Sequence, residues 1–290
     1  MTTVTTSTNV NGILPDDYGQ LIIAPLQRAA LALDPRVSTV VSTNSTEFRL
    51  PVLRQDVGAA WLTEGGEIAP ADAVFDEIVV RPGKVGGLTI ISRELSEDSS
   101  PEAQVIVGDS LARSIAGRID AAFFGSLASP APAGLGSITK YNATGPVDGY
   151  SQVLYTTAIT NLDPFAEAIA AAEIMGSTIT AFVTTPAVAL VLAKLKSATS
   201  SNQPLLGIDA TNGTARQVLG VPLLVSSYVP ANTVYALDAS KQVSVLRDDV
   251  RLERSSDAYF SSDRVGVKAT LRLGFAYPSL QSVVKIEKAP

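Results

Sequence analysis

From Arg264 to Phe275 the chain alternates without a fault. Val265, Val267, Ala269, Leu271, Leu273 and Phe275 are apolar, and Arg264, Gly266, Lys268, Thr270, Arg272 and Gly274 stand between them. A period of two held this long marks a strand with one face on a core and the other toward water. Such a strand requires a partner. Residues 242–254, carrying Val243, Val245, Val250 and Leu252, supply it through the polar connection 255–263. The alternation breaks at Asp248-Asp249, which predicts a bulge there. The chain is therefore committed to a long antiparallel hairpin near its end, and the remaining elements must pack on it or beside it.

The strongest helix signal precedes it. Ser100-Pro101-Glu102 combines a capping residue, a first-turn proline and an acid matched to the helix dipole. It predicts a helix over residues 101–127, about 40 Å long at 1.5 Å per residue, with Val105, Ala112, Ala116, Ile119, Phe123 and Leu127 on one stripe. The same device at Asp163-Pro164 and Thr185-Pro186 predicts helices over 165–175 and 187–196, with strands at 181–184, 223–226 and 233–237, so residues 151–239 read as a compact α/β body. Residues 47–92 are strand-like, with Phe48, Leu50, Ile78, Val80, Leu88 and Ile90 broken by glycine pairs, and read as an elongated hairpin too thin to hold a core of its own. A Thr- and Ser-rich lead opens the chain. Its first dozen residues read as disordered, and residues 21–33 as a helix of about three turns ending near Asp34-Pro35.

Composition excludes much chemistry. There is no Cys and no His among 290 residues, so thiol nucleophiles, Ser-His-Asp arrangements and Cys- or His-ligated metals are ruled out. No phosphate-cradling or nucleophile-elbow motif is present, since Gly134-Leu135-Gly136 lacks the third glycine of a dinucleotide fingerprint. Charged residues make up only 17% against 46% hydrophobic, and mean hydropathy is +0.24. A surface so poor in charge is expected to be hidden against partners. The two charge-free stretches of membrane length, 174–193 and 217–237, carry internal prolines and read as pairs of short buried elements, and no secretory signal is visible at the N-terminus. The net charge of −6 argues against a dedicated nucleic-acid binder and is compatible with a protein that surrounds nucleic acid without gripping it.

Few residues stand out as candidate sites. Glu94, Glu97, Asp98 and Glu102 have the composition of a divalent-cation site, but acids around the first turn of a helix are sufficiently explained by its dipole. Lys268 and Arg272, with Arg264, place cations on one strand face, a solvated face or a contact for an acidic partner surface. Trp61, the sole Trp, sits on the thin hairpin with Glu64 three residues on and is expected to anchor a subunit contact.

Taken in order, these residues resemble a known family. Trp61 and Glu64, Phe75, Lys84, Ser92-Arg93-Glu94-Leu95 and Asp98-Ser99 precede the long helix. Ile119-Asp120, Phe124-Gly125, Pro132, Gly134 and Leu135 mark its exit. Leu219-Gly220-Val221-Pro222, Ser226, Pro230, residues 260–264 and Phe275-Ala276-Tyr277-Pro278 close the series. The set, spanning roughly residues 50–285, resembles tailed-bacteriophage major capsid proteins, whose fold is shared with encapsulins.

The resemblance implies an α+β phage major-capsid fold. Its parts would be an N-terminal arm (1–45), an extended β-hairpin loop (46–95), a peripheral domain with the long spine helix and long β-hairpin (96–150 and 240–275), and an α/β axial domain (151–239 and 276–290). It further implies hexamers and pentamers in an icosahedral shell around double-stranded DNA, no enzymatic activity, no cofactor or metal, no membrane partner, and residence in the virion after assembly in the host cytoplasm. Trp61, Glu64, Arg81, Lys84, Arg264, Lys268 and Arg272 become the subunit-interface candidates. Some relatives weld subunits through a Lys-Asn isopeptide bond; Lys84 offers one half, but residues 233–290 contain no Asn, so no such bond is expected. Fewer than 50 residues precede the hairpin, so a separate scaffolding protein is expected, with a portal and, in some particles, a decoration protein. An encapsulin-like compartment for a cargo enzyme is the alternative within the fold, and a hydrolase using carboxylates and Lys is the alternative outside it.

Overall fold

A computed structural model describes residues 30–289 except 56–58, 60, 62–71, 93–100, 140–148, 157, 199–200, 207–215 and 256. The long hairpin forms the centre of a four-stranded sheet. β10 (Val243–Ser255) pairs antiparallel with β11 (Arg264–Ala276), and the register slips between Arg247 and Arg251, so residues 248–250 face Leu271 alone. The bulge thus falls where the alternation breaks. β1 (Thr39–Thr43) adds parallel to β10, and β4 (Gly83–Ser92) adds antiparallel to β11, giving the order β1-β10-β11-β4.

This last pairing corrects the elongated hairpin expected over residues 47–92. β2 (Phe48–Gln55) pairs with β3 (Val74–Val80) as a two-stranded ribbon, but the chain leaves the ribbon at Arg81-Pro82 and β4 joins the central sheet instead of folding back on β3. Proline has no amide to donate, which favours an exit at that point. The base of the ribbon finds the surface that its thinness requires. Val80 is buried with Val243, Val245 and Ala276 on one face of the four-stranded sheet, and Phe48, Leu50 and Ile78 pack around them.

The opposite face of that sheet carries the long helix. α1 (Pro101–Phe124) presents Leu111, Ile115, Ile119, Ala122 and Phe123 to Ala269, Leu271, Leu273 and Phe275 of β11, the odd positions of the alternating run. The helix ends three residues earlier than expected, and Leu127 is exposed, since the chain turns at Gly125. Burying a side chain such as Phe123 contributes about 1.5–3 kcal/mol relative to leaving it in water.

The second layer is a six-stranded sheet of order β5-β12-β9-β6-β8-β7, formed by β5 (Ser151–Tyr155), β6 (Ala181–Thr184), β7 (Gln217–Val218), β8 (Val221–Val225), β9 (Thr233–Leu237) and β12 (Val284–Lys288). Phe165, Ala168 and Ala172 of α2 (Asp163–Ile174) and Val188 and Leu192 of α3 (Pro186–Lys194) bury against it, with Phe165 and Phe182 edge to face and their ring centroids 5.1 Å apart. Both charge-free stretches break into short elements here, and among the described residues no helix is long and apolar enough to cross a membrane.

The two sheets share one core. Tyr235 and Leu237 of β9 pack with Phe123, Phe124 and Leu135, and the buried Tyr235 hydroxyl donates to the Phe124 carbonyl at 3.0 Å. That bond satisfies one of the carbonyls a helix end leaves without a partner.

Residues 30–38 form a strap across this junction. Of the helix expected over 21–33, only the end lies among the described residues, as a single 3-10 turn at Leu31–Leu33. Asp120 of α1, 4% exposed, accepts from the Leu31 amide at 3.2 Å and the Ala32 amide at 2.9 Å. On the other side Ser38 and Ser244 both donate to the Ala32 carbonyl, at 2.7 and 3.0 Å. The strap then enters β1.

Candidate functional site

The ribbon and the four-stranded sheet hold the described interface candidates. Trp61 lies beyond the paired ribbon strands and is wholly exposed, at 104% relative exposure. Phe75, in β3 of the ribbon, is 74% exposed. Glu64 lies outside the described residues, as do Glu94, Glu97 and Asp98, while the side chain of Glu102 is not described.

Arg81 stands at the ribbon's exit and is engaged within the chain: its Nε donates to Glu47 Oε1 at 2.8 Å. Arg49 pairs with Glu77 across the ribbon at 3.2 Å. These exposed pairs contribute little to stability, up to about 1 kcal/mol each, but they hold the register of the ribbon's base.

The other candidates meet on the face of the central sheet that is turned away from α1. Arg272 is the register partner of Lys84 on one side and of Arg247 on the other. Lys268 is the register partner of Glu253 and forms an ion pair with it. Together with Thr270 and Leu271 these five charged residues line a cavity of about 250 Å³. Arg264 starts β11 at the far end, exposed, and lines none of this cavity's described wall. Lys84 also borders a more apolar cavity of about 430 Å³ between β4, Arg118, Ile119 and Ala122 of α1 and the loop through Pro130 and Pro132.

Two residues were not among the candidate site residues read from the sequence. Arg247 joins the cationic row only because β10 and β11 pair in this register, and the hairpin expected for residues 47–92 hid the neighbourhood of Lys84 and Arg272. Asp120 looks like an ordinary surface acid on a helix. Its burial pushes its carboxyl up to about 6, against the opposing pull of the Ala32 and Leu31 amides.

The described surface leaves large apolar side chains uncovered, Trp61 and Phe75 on the ribbon segment and Ile174 and Leu190 on the helices of the second sheet. The model of the Phage capsid family matches residues 13–287. A "Capsid polyprotein" of Pseudomonas phage PAJU2 is 28% identical over 233 residues, which are 77% of this chain and 33% of that protein, so the chain spans about a third of that relative's length. The fold is shared with the capsid of a native GTA particle, at a TM-score of 0.71 and 19% identity over 100% of this chain and 96% of that one. It is shared equally with a chain of Microbacterium phage Oxtober96, at a TM-score of 0.71 and 16% identity over 90% and 91%. With a family match running almost from end to end, the chain belongs to the phage capsid family.

Proposed function

We propose that this chain is the shell-forming subunit of a virion, assembling as hexamers and pentamers into a closed icosahedral shell around double-stranded DNA, without a catalytic role. The single observation that carries the reading is the uncovered ribbon: Trp61 at full exposure and Phe75 at 74% on an element too thin to bury them itself. In the assembled shell the ribbon of one subunit lies over its neighbour, with Trp61 as the anchor and the charges of Glu64, Arg81, Lys84, Arg264, Lys268 and Arg272 disposed around the contacts. The parts proposed are an arm (1–45), an extended loop (46–95), a peripheral domain (96–150 and 240–275) and an axial domain (151–239 and 276–290). The partners are further copies of the chain, a separate scaffolding protein, a portal and, where present, a decoration protein, with assembly in the host cytoplasm. No Lys-Asn weld joins the subunits, and denaturing gels of mature particles are expected to show single chains only.

The test is electron microscopy of wild type and Trp61→Ala, each produced with its scaffolding partner where one is needed. Wild type is expected to form closed shells of uniform diameter. The variant is expected to stop at small oligomers while its far-ultraviolet circular dichroism stays unchanged, because the side chain is fully exposed in the single subunit. Normal shells from Trp61→Ala overturn the anchor role. Absorbance at 260 and 280 nm on filled particles then separates a DNA-containing capsid from a protein-filled compartment.

A further inference from the structure

We propose that the apolar cavity beside α1 receives Trp61 from a second copy of the chain, a docking that rests on the anchor reading above and gives the anchor its seat. The cavity, of about 430 Å³, is bounded by Val85 of β4, Ile119 and Ala122 of α1, Leu273 of β11 and the loop that leaves the helix through Pro130 and Pro132. Gly83 is what lets that loop come so near, since a Cβ there would stand 2.8 Å from the Pro130 carbonyl oxygen. The volume falls in the range of about 300–1,000 Å³ typical of ligand-sized sites, so an indole enters with part of the chain that carries it. Leu127, also in the wall, is 43% exposed, an apolar side chain that an incoming ring would cover.

Charge selects the occupant. The described lining of the cavity carries two cations, Lys84 and Arg118, both exposed, and no carboxylate. The stretch that carries Trp61, between Gln55 of β2 and Val74 of β3, holds Asp56, Glu64, Glu67 and Asp72 and no Lys or Arg. In a chain whose net charge is −6, such an acidic stretch is repelled by much of the surface and drawn to an apolar hollow with a basic rim. Ile174, at 79% the next most exposed large apolar side chain among the described residues, offers no such match. The charged residues of its helix α2 are Asp163, Glu167 and Glu173, all acids. An aromatic anchor in an apolar pocket with charges at its margin is the arrangement that dominates binding at protein interfaces. The occupant comes from another copy. A subunit's own Trp61 is wholly exposed, and the base of its ribbon packs on the face of the four-stranded sheet opposite α1, across the sheet from its own cavity.

The experiment uses the fact that Trp61 is the sole Trp. The full chain carrying Trp61→Ala has no indole, so fluorescence from a synthetic peptide of residues 56–73 reports the peptide alone. Titrating this chain into the peptide is expected to move the emission to shorter wavelength and raise its anisotropy, with saturation, as the ring leaves water. Adding Arg118→Glu or Leu127→Asp to the chain is expected to weaken binding by at least about tenfold, the scale of a hot-spot loss. Glu64→Lys with Glu67→Lys in the peptide is expected to do the same. Both altered chain positions are exposed, so far-ultraviolet circular dichroism is expected to stay unchanged; if one variant fails to fold, the other and the altered peptide still decide. No saturable shift, or equal affinity from the cavity variants, overturns the cavity as the seat of Trp61. The two readings fail separately. If Trp61→Ala abolishes shells while the cavity variants bind the peptide as tightly as the unaltered cavity does, Trp61 anchors assembly at another surface. If Trp61→Ala builds normal shells, the anchor reading falls, and the cavity's part in assembly falls with it.

Discussion

Gly134→Ala is expected to lower the stability of the chain by on the order of 4–5 kcal/mol, an effect reserved for a few mechanisms. After α1 ends at Phe124 the chain turns and runs back across the helix's last turn. A Cβ at position 134 would collide with the Ala122 carbonyl oxygen and stand only 2.5 and 2.7 Å from those of Gly125 and Phe123. All three obstacles are main chain, so no side chain can rotate to make room. The close approach is what lets the Gly136 amide donate to the Gly125 carbonyl at 3.1 Å and seats Leu135 in the shared core at 1% exposure. Pushing the two segments apart forfeits that bond, opens a space around Leu135 and disturbs the Tyr235 bond to Phe124 that joins the two sheets. Gly108→Ala is the control. Position 108 lies within α1 with nothing within 4 Å of a Cβ, so alanine there is expected to gain up to about 1 kcal/mol from helix propensity alone. Denaturant titration of both variants makes the comparison, and a Gly134→Ala chain within about 1 kcal/mol of wild type would refute the close-packing argument.

What was legible in the sequence was legible for local reasons. The strand of residues 264–275 announces itself because a period of two needs no knowledge of the partner, and the bulge shows because two consecutive acids interrupt a buried face. The helix starts at Pro101, Asp163-Pro164 and Pro186 follow from proline's fixed φ and missing amide. The failures are non-local. Ile78 and Val80, then Leu88 and Ile90, alternate in the same way whether their strands fold on each other or enter different sheets, and nothing near residue 83 says that its partner is Leu273. The cationic row is lost with that pairing, because Lys84, Arg247 and Arg272 are neighbours only in the final register. The burial of the acid at position 120 is likewise not legible in the sequence, since the two amides that use it are 88 and 89 residues away. The resemblance to capsid proteins bridged part of this gap by supplying an order of parts, but no pairing of strands.

Asp120 supplies the second large effect, and its sign is opposite to that of most carboxylates. Its folded-state pKa is raised from 3.8 to about 6, chiefly because burial penalises the charged form. The folded chain therefore holds this proton more tightly than the unfolded chain does. The resulting stabilisation is fully present below about pH 3.8 and is lost as the pH rises through about 6. The shift of about two pH units corresponds to about 3 kcal/mol at about 1.4 kcal/mol per unit. Asp34 acts in the other direction, since its hydrogen bond to the Arg36 side chain holds its carboxyl below the usual range, and its contribution fades in acid. Asp120→Asn isolates the first effect, because Asp34 and every other carboxylate are common to both chains. The amide cannot ionise; it keeps one acceptor oxygen for the strap and turns an NH2 toward the second amide. On passing from pH 7 to pH 4, the stability of wild type relative to Asp120→Asn is expected to rise by between about 2 and 3 kcal/mol. Denaturant titrations of both chains across that range measure it. A difference that stays flat would mean that Asp120 is charged throughout, held by the Leu31 and Ala32 amides strongly enough to cancel its burial.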